Sequence, residues 1–392
     1  MPPNPPMPII TEPNLRTERL GGLDAPDADA LRSMHQGNFI LRARDGQLTQ
    51  VPVAKALLPH SNRMSPQSCQ VDVGPDGTVY VRQTEVLCTS SDGGRSWQTT
   101  PIDRSLDEQL GFHWKVLRDG TFISIDCTYG PDVRDPAIVR VSSDRGRTWT
   151  RRAQIPIDMN LPDGQPYEKR YSHRGLGRLQ DDTLLWTIDI RDNDMTGHGC
   201  HTFRSTDGGH SWQGPILMHD FGSEGASTLL PSGRVFATLR YQRYGVDGDR
   251  PDMDRLNRGA KPGKPWKNVF LLNSDDGGLH WSTPRQLTTV FGQPFGYPAA
   301  LSDGTVVVIH DTRYGPGPPG SRAMISRDEG ATWEDEVYYL DSTTFTGSYS
   351  ASVVLEDQTI LSICGSSQKP GSWDEVADNT DLYAIRWRPL SP

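Results

Sequence analysis

Apolar residues recur along the chain in short runs of period two, each preceded by a turn. The runs are GPDGTVYV from Gly74, LRDGTFISI from Leu117, LQDDTLLWTI from Leu179, LPSGRVFATL from Leu230, LSDGTVVVI from Leu301 and LEDQTILSI from Leu355. Alternation of this kind puts apolar side chains on one face of a strand. Each segment therefore predicts a hairpin, its turn marked by Asp76, Asp119, Asp181, Ser232, Asp303 or Asp357. The turns lie 43 to 71 residues apart, room for about four short strands per unit.

A second pattern follows five of the six hairpins: SSDGGRSW (90–97), SSDRGRTW (142–149), STDGGHSW (205–212), SDDGGLHW (274–281) and SRDEGATW (326–333). The shared form is S-x-D-x-G-x-[T/S]-W, with His280 the one departure. Ser and Asp side chains bond nearby backbone amides, glycine takes the positive φ, and tryptophan packs on a neighbouring strand. The pattern predicts structural corners, and the five Asp residues are read as structural.

Six repeated four-stranded units predict an all-β fold, a six-bladed β-propeller. NFILRARDG (38–46) precedes the first unit and DLYAIRWRP (381–389) ends the last. Pairing an N-terminal strand with the last blade closes the ring and removes two free edges. Residues 1–37 then form a Pro-rich arm, with a short capped helix in DAPDADALRSM, and 38–392 a single propeller domain.

Gly 39 and Pro 31 among 392 residues fit many tight turns. A formal net charge of -9 without Lys/Arg runs argues against a nucleic-acid partner. Runs such as VVVI (306–309) are too short to cross a bilayer, so no membrane partner is expected. The proline-broken N-terminus does not read as a secretory signal, which suggests a cytoplasmic protein, or a secreted or periplasmic one if a leader has been removed. Cys69, Cys88, Cys127, Cys200 and Cys364 form no C-x-x-C pair and are expected as free thiols. Without a dinucleotide or phosphate-binding glycine motif or a metal-ligand spacing, no cofactor is expected.

Counting about eight residues back from each turn reaches the start of the first strand of each unit, where side chains converge on the propeller axis. That count meets Ser68, Gly111 with His113, His173, Glu224, Phe295 with Tyr297, and Tyr349. The sequence suggests a second set at the opposite strand ends: Asp126, Arg191, Arg240 and Arg313. Arginines near a central pocket offer bidentate recognition of a carboxylate, sulfate or phosphate. The long stretch 241–267 after Arg240 is expected to wall the pocket.

The five octapeptides resemble the Asp-boxes of the sialidase (neuraminidase) superfamily, a six-bladed propeller fold, over roughly residues 60 to 390. The resemblance implies a Tyr nucleophile activated by Glu, an Asp acid/base and three arginines gripping the substrate carboxylate. EGASTLLPSGRVFATLR is similar to the segment carrying the activating Glu and the second arginine, implying Glu224 and Arg240. SYSASVVLEDQTIL implies Tyr349 as nucleophile, and HDTRYG implies Arg313 as third arginine, with Arg322 its rival. At the first-arginine position stands Gln67, with Arg63 four residues earlier, and the acid/base loop offers only Glu85. His113 or His173 is then the candidate general acid, since an imidazole titrates near neutrality.

These residues predict an exo-glycoside hydrolase releasing a terminal, acidic, sialic-acid-like sugar from a glycan. Catalysis falls to Tyr349, Glu224, His173 and His113, and substrate binding to Arg240, Arg313, Arg63, Arg322 and Tyr297. The alternatives are a polysaccharide lyase using a His/Tyr pair and a non-catalytic glycan-binding propeller.

Overall fold

The computed structural model describes residues 27–59, 70–82, 86–102, 113–126, 135–161, 163–172, 175–194, 197–220, 222–244, 265–290, 292–293, 295–313, 319–342, 350–366 and 381–391. Three N-terminal strands come first: β1 (Phe39–Arg44), β2 (Gln47–Pro52) and β3 (Ala54–Leu57). Blade one holds β4 (Gln70–Val73), β5 (Val79–Arg82), β6 (Val86–Ser90) and β7 (Gln98–Pro101). Blade two holds β8 (His113–Val116), β9 (Phe122–Asp126), β10 (Ala137–Ser142) and β11 (Thr150–Ile155). The first strand of blade three is split into β12 (Lys169–Tyr171) and β13 (Leu176–Arg178), followed by β14 (Leu184–Arg191), β15 (His198–Ser205) and β16 (Gln213–His219). Blade four holds β17 (Gly222–Leu229), β18 (Val235–Arg243), β19 (Trp266–Ser274) and β20 (Arg285–Gln286). Blade five holds β21 (Gly296–Ala300), β22 (Val306–Thr312), β23 (Gly320–Ser326) and β24 (Glu336–Tyr339), and blade six β25 (Ala351–Val354), β26 (Ile360–Ser366) and β27 (Asp381–Trp387).

These antiparallel sheets make a six-bladed β-propeller, as the repeats predict. All six hairpins share one closure, in which an amide donates to the carbonyl four residues on: Gly74 to Thr78, Leu117 to Thr121, Leu179 to Thr183, Leu230 to Arg234, Leu301 to Thr305 and Leu355 to Thr359. An N-terminal strand does complete the last blade, but it is β3, paired with β27. Residues 38–46, which the sequence suggested for that place, instead form β1, which joins the outer edge of blade five through β24. The reason is length: β1 and β2 form a hairpin that extends blade five to six strands, and only then does β3 reach blade six. The expected helix is α1 (Ala28–Ser33), whose N-cap Asp27 accepts from the amides of Asp29 and Ala30. Leu31 and Met34 anchor its end among Leu41, Val337 and Tyr339.

Blades two to four cluster as one compact unit, and blades one, five and six as the other. The first unit's core runs from Ile123, Ile125 and Val139 to Trp186, Ile188 and Ile190. The second unit has cores around Val79, Val81 and Leu361, and around Val307, Ile325 and Trp387. Cys88, Cys200 and Cys364 are buried, and none of them forms a disulfide among the described residues.

Each octapeptide turns the chain from the third strand of its blade to the fourth, and all five do it alike. In the 205–212 corner, Ser205 Oγ donates to Asp207 at 2.8 Å and accepts from the Gly209 amide at 2.9 Å. Asp207 also accepts from the Ser211 amide at 2.9 Å and its hydroxyl at 2.6 Å. His280 fits because its Nδ1 meets Asp276 at 2.6 Å where the other corners use a hydroxyl. The corners also join neighbouring blades. A Cβ on Gly209 would lie 2.5 Å from Ile123 of blade two, and one on Gly278 2.8 Å from Leu185 of blade three. Arg152 reaches from blade two to the Gly208 carbonyl at 2.7 Å, and Arg204 from blade three to that of Gly277 at 3.1 Å.

Burial alone would raise the Asp207 carboxyl, but the Ser211 hydroxyl and amide and the Ser205 hydroxyl hold it down to about 2. A depressed carboxyl stabilises the fold above its unfolded value and loses that contribution as pH falls through the folded one. Asp207→Ala is therefore expected to cost about 1–2 kcal/mol near neutrality, as for loss of a helix cap. In urea titrations the gap from wild type should close as pH falls from about 4 to about 2.

Candidate functional site

The unit of blades two to four contains a buried polar cluster built on two adjacent blades. In β14 the alternation T-I-D-I-R splits the strand's two faces. Trp186, Ile188 and Ile190 join the apolar core shared with blade two. Thr187, Asp189 and Arg191 point the other way, toward blade four. Strand β17 approaches this face closely because it carries glycines where contact is tightest. A Cβ on Gly225 would lie 2.9 Å from Thr187 Cγ2, and one on Gly222 2.8 Å from Cys200 Cβ.

Glu224 sits between these glycines. The register that pairs Gly225 with Leu239 brings it beside Arg240 of β18, and Arg240 Nη1 donates to Glu224 Oε2. Both side chains are buried, 8% and 7% exposed, so solvent screens the pair weakly. Asp189 is fully buried nearby. Burial pushes its carboxyl up to about 7, opposed by Arg191, reinforced by Glu224, and opposed again by Arg240 and the Ser223 hydroxyl.

Arg191 stacks on the Tyr171 ring, 4.1 Å from its centre, and among the described residues it makes no ion pair with a carboxylate. His198, opposite Arg191 in the ladder, is wholly buried, and neither ring nitrogen is hydrogen-bonded among the described residues. Its imidazole is driven down to about 3, first by burial and then by Arg191. At the end of β18, Arg243 donates to Tyr241 Oη at 2.7 Å and lies 5.1 Å over Trp266.

In the other unit, Arg313 follows β22 and its Nε donates to Asp311 Oδ2; both side chains are buried. Arg322 of β23 pairs across the ladder with His310 and stacks 5.0 Å over Tyr339. Burial lowers the pKa of both side chains, Arg322 below its ordinary value and His310 to about 4. Tyr297 lies half-buried on β21.

Of the residues singled out from sequence, the structure joins Glu224 to Arg240 directly. It also corrects one piece of geometry. Asp126, Arg191 and Arg240 lie at the same end of their blades as the strand starts, because each hairpin brings the chain back. Arg191 pairs with Lys169, and Ile125, just before Asp126, with His113. His113 opens β8. Tyr349, His173, Arg63 and most of the 241–267 stretch (245–264) lie outside the described residues. Asp189 and His198 were not singled out. Asp189 had a signal, since TIDIRDND puts it on the same strand face as the noted Arg191. His198 had none. Among the described residues, no group of three or more His, Cys, Asp or Glu is arranged to hold a metal ion.

No family model matches the chain. A curated sialidase from Bacteroides fragilis is 28% identical over 208 residues, 43% of this chain. The match spans 35% of that sialidase, about a third of its length. Among solved structures, the α-L-arabinofuranosidase of Fusarium graminearum superposes with a TM-score of 0.56 at 16% identity, over 85% of this chain and 96% of its own. A Hadza microbial sialidase superposes with a TM-score of 0.52 at 14% identity, over 87% of this chain and 69% of its own. In sequence the chain resembles the sialidase superfamily, and its fold is the six-bladed β-propeller that these sialidase and arabinofuranosidase structures share.

Proposed function

We propose that the chain is an exo-acting glycoside hydrolase that releases a terminal acidic sugar, of the sialic-acid type, from a glycan. The observation that carries this reading is the buried Glu224–Arg240 pair on adjacent strands of blade four. It unites a proton acceptor and a carboxylate-binding cation at the end of the blade where the first strand begins. The partial likeness to a curated sialidase supports it, as do the glycosidases among the fold's neighbours.

In this reading Tyr349 Oη attacks the anomeric carbon while Glu224 takes the phenol proton. The glycosidic C–O bond breaks, and His113 or His173 protonates the departing oxygen. Water then attacks the same carbon and gives a proton to the imidazole, while the phenol leaves and takes its own proton back from Glu224. A phenol suits an anionic substrate because it is neutral until attack begins. Arg240 and Arg313 are the proposed carboxylate grips, since a guanidinium presents paired donors to a planar anion. Arg322 is the weaker candidate, because its guanidinium is committed to the Tyr339 ring.

The arabinofuranosidase likeness motivates a second reading, a glycosidase for a neutral furanoside on the same propeller. Aryl glycosides of sialic acid, its deaminated analogue, uronic acids and arabinofuranose separate the two. Release from the acidic sugars is expected, and Tyr349→Phe should abolish it while leaving binding largely intact. Release from the arabinofuranoside alone would favour the second reading. An unsaturated product would indicate a lyase, and binding without turnover a glycan-binding protein.

A further inference from the structure

We infer that Asp189 is a positioning residue of the Glu224–Arg240 site, acting as a neutral carboxylic acid beneath an ionised Glu224. The inference rests on the hydrolase reading only for its effect on turnover. The protonation state follows from how the cluster is built.

Asp189 lies two residues from the end of β14 and is 1% exposed. On its flanks in the ladder are Tyr171 of β12 and Cys200 of β15, neither a cation. The neighbouring cations are engaged elsewhere: Arg240 with Glu224, and Arg191 with the Tyr171 ring. Among the described residues, no guanidinium makes an ion pair with Asp189, and Arg191 and Arg240 act on it only at longer range. His198, two residues before Cys200, is neutral. A buried carboxylate without an ion pair, beside a second carboxylate, is costly, and the usual resolution is protonation. The raised carboxyl described above agrees.

Neutrality has a consequence for Glu224. With Asp189 ionised, two carboxylates would compete for the field of Arg240. With Asp189 protonated, Glu224 no longer shares the field of Arg240 with a second buried carboxylate, which favours its charged form, ready to receive a proton. Close packing of Gly225, next to Glu224, on Thr187, two residues before Asp189, holds β17 tightly against the face of β14 that carries Asp189.

The test is Asp189→Asn, which preserves the shape of the protonated acid. A carboxyl raised in the fold contributes stability that is lost as pH rises from its unfolded value to its folded one. Wild type should therefore lose Tm relative to the variant as pH rises from about 4 to about 7, so their difference should change across that window. A difference constant with pH overturns the inference, whatever the protein hydrolyses. On the preferred acidic glycoside, the imidazole acid gives both proteins an alkaline limb, and wild-type kcat should fall more steeply above neutral pH than the variant's, which lacks the second ionisation at Asp189 and should keep most of the acid-side rate. An unchanged limb also overturns it. Silence of both proteins on every glycoside rejects the hydrolase reading and leaves the Tm comparison to decide the protonation state. Should the variant fail to fold, infrared titration of wild type serves. A protonated, buried carboxylic-acid band that persists at pH 6 and fades near neutrality supports the inference, and its absence overturns it.

Discussion

Arg240→Ala is expected to cost about 3–5 kcal/mol of folding stability, because it strands the buried Glu224 carboxylate without its guanidinium. The pair is only 8% and 7% exposed, so water cannot replace the lost partner at little cost. Burying an ion pair seldom adds net stability, since desolvation of both charges offsets their attraction. The double variant Glu224→Leu/Arg240→Met should therefore recover most of the loss, and urea denaturation of the single and double variants measures both. Recovery would mean that the pair is maintained for something other than stability. A double variant as unstable as Arg240→Ala would instead make the two residues part of the blade's scaffold. Arg240→Lys should fall between, keeping the charge but losing the planar fork.

The fold was legible because its local rules repeat. Six hairpins close identically, and five corners use the same Ser–Asp–Gly bonds, so each copy corroborated the others. Even the departure at His280 obeys the rule through Nδ1. Which N-terminal strand closes the last blade was not legible. NFILRARDG and VAKAL are both strand-like, and the choice between them depends on the reach of the β1–β2 hairpin. Glu224 and Arg240 were found by counting from a turn, which succeeds when both partners flank one hairpin. The count misplaced Arg240 at the far end because it treated the strands as running one way, whereas the hairpin doubles back. Asp189 escaped because its distinction is a burial fact, a carboxyl facing another blade across 35 residues of chain from Glu224. An Asp in alternation with apolar residues reads as solvent-facing until the neighbouring sheet covers it.

Glu224→Gln tests the chemistry where Arg240→Ala tests the structure. The amide keeps the shape of the carboxyl and its carbonyl still accepts from Arg240, so the variant should fold. What it loses is the charge and the ability to take the Tyr349 proton. Proton transfer by a positioned base contributes about 10²–10⁴-fold to rate, so kcat should fall by that factor with KM changed only a few-fold. The acid limb of the pH–rate profile should disappear with it, since the group whose ionisation it reports is gone. A kcat within a few-fold of wild type would remove Glu224 from the chemistry and make it a structural counter-ion to Arg240. If hydrolysis is seen, attention would then turn to a mechanism with another base. A large loss confined to KM would instead assign Glu224 to uniform substrate binding. Paired with Tyr349→Phe, the variant also tests whether the two act as one unit. If the Glu serves only to activate the Tyr, the double variant should be little slower than Tyr349→Phe alone.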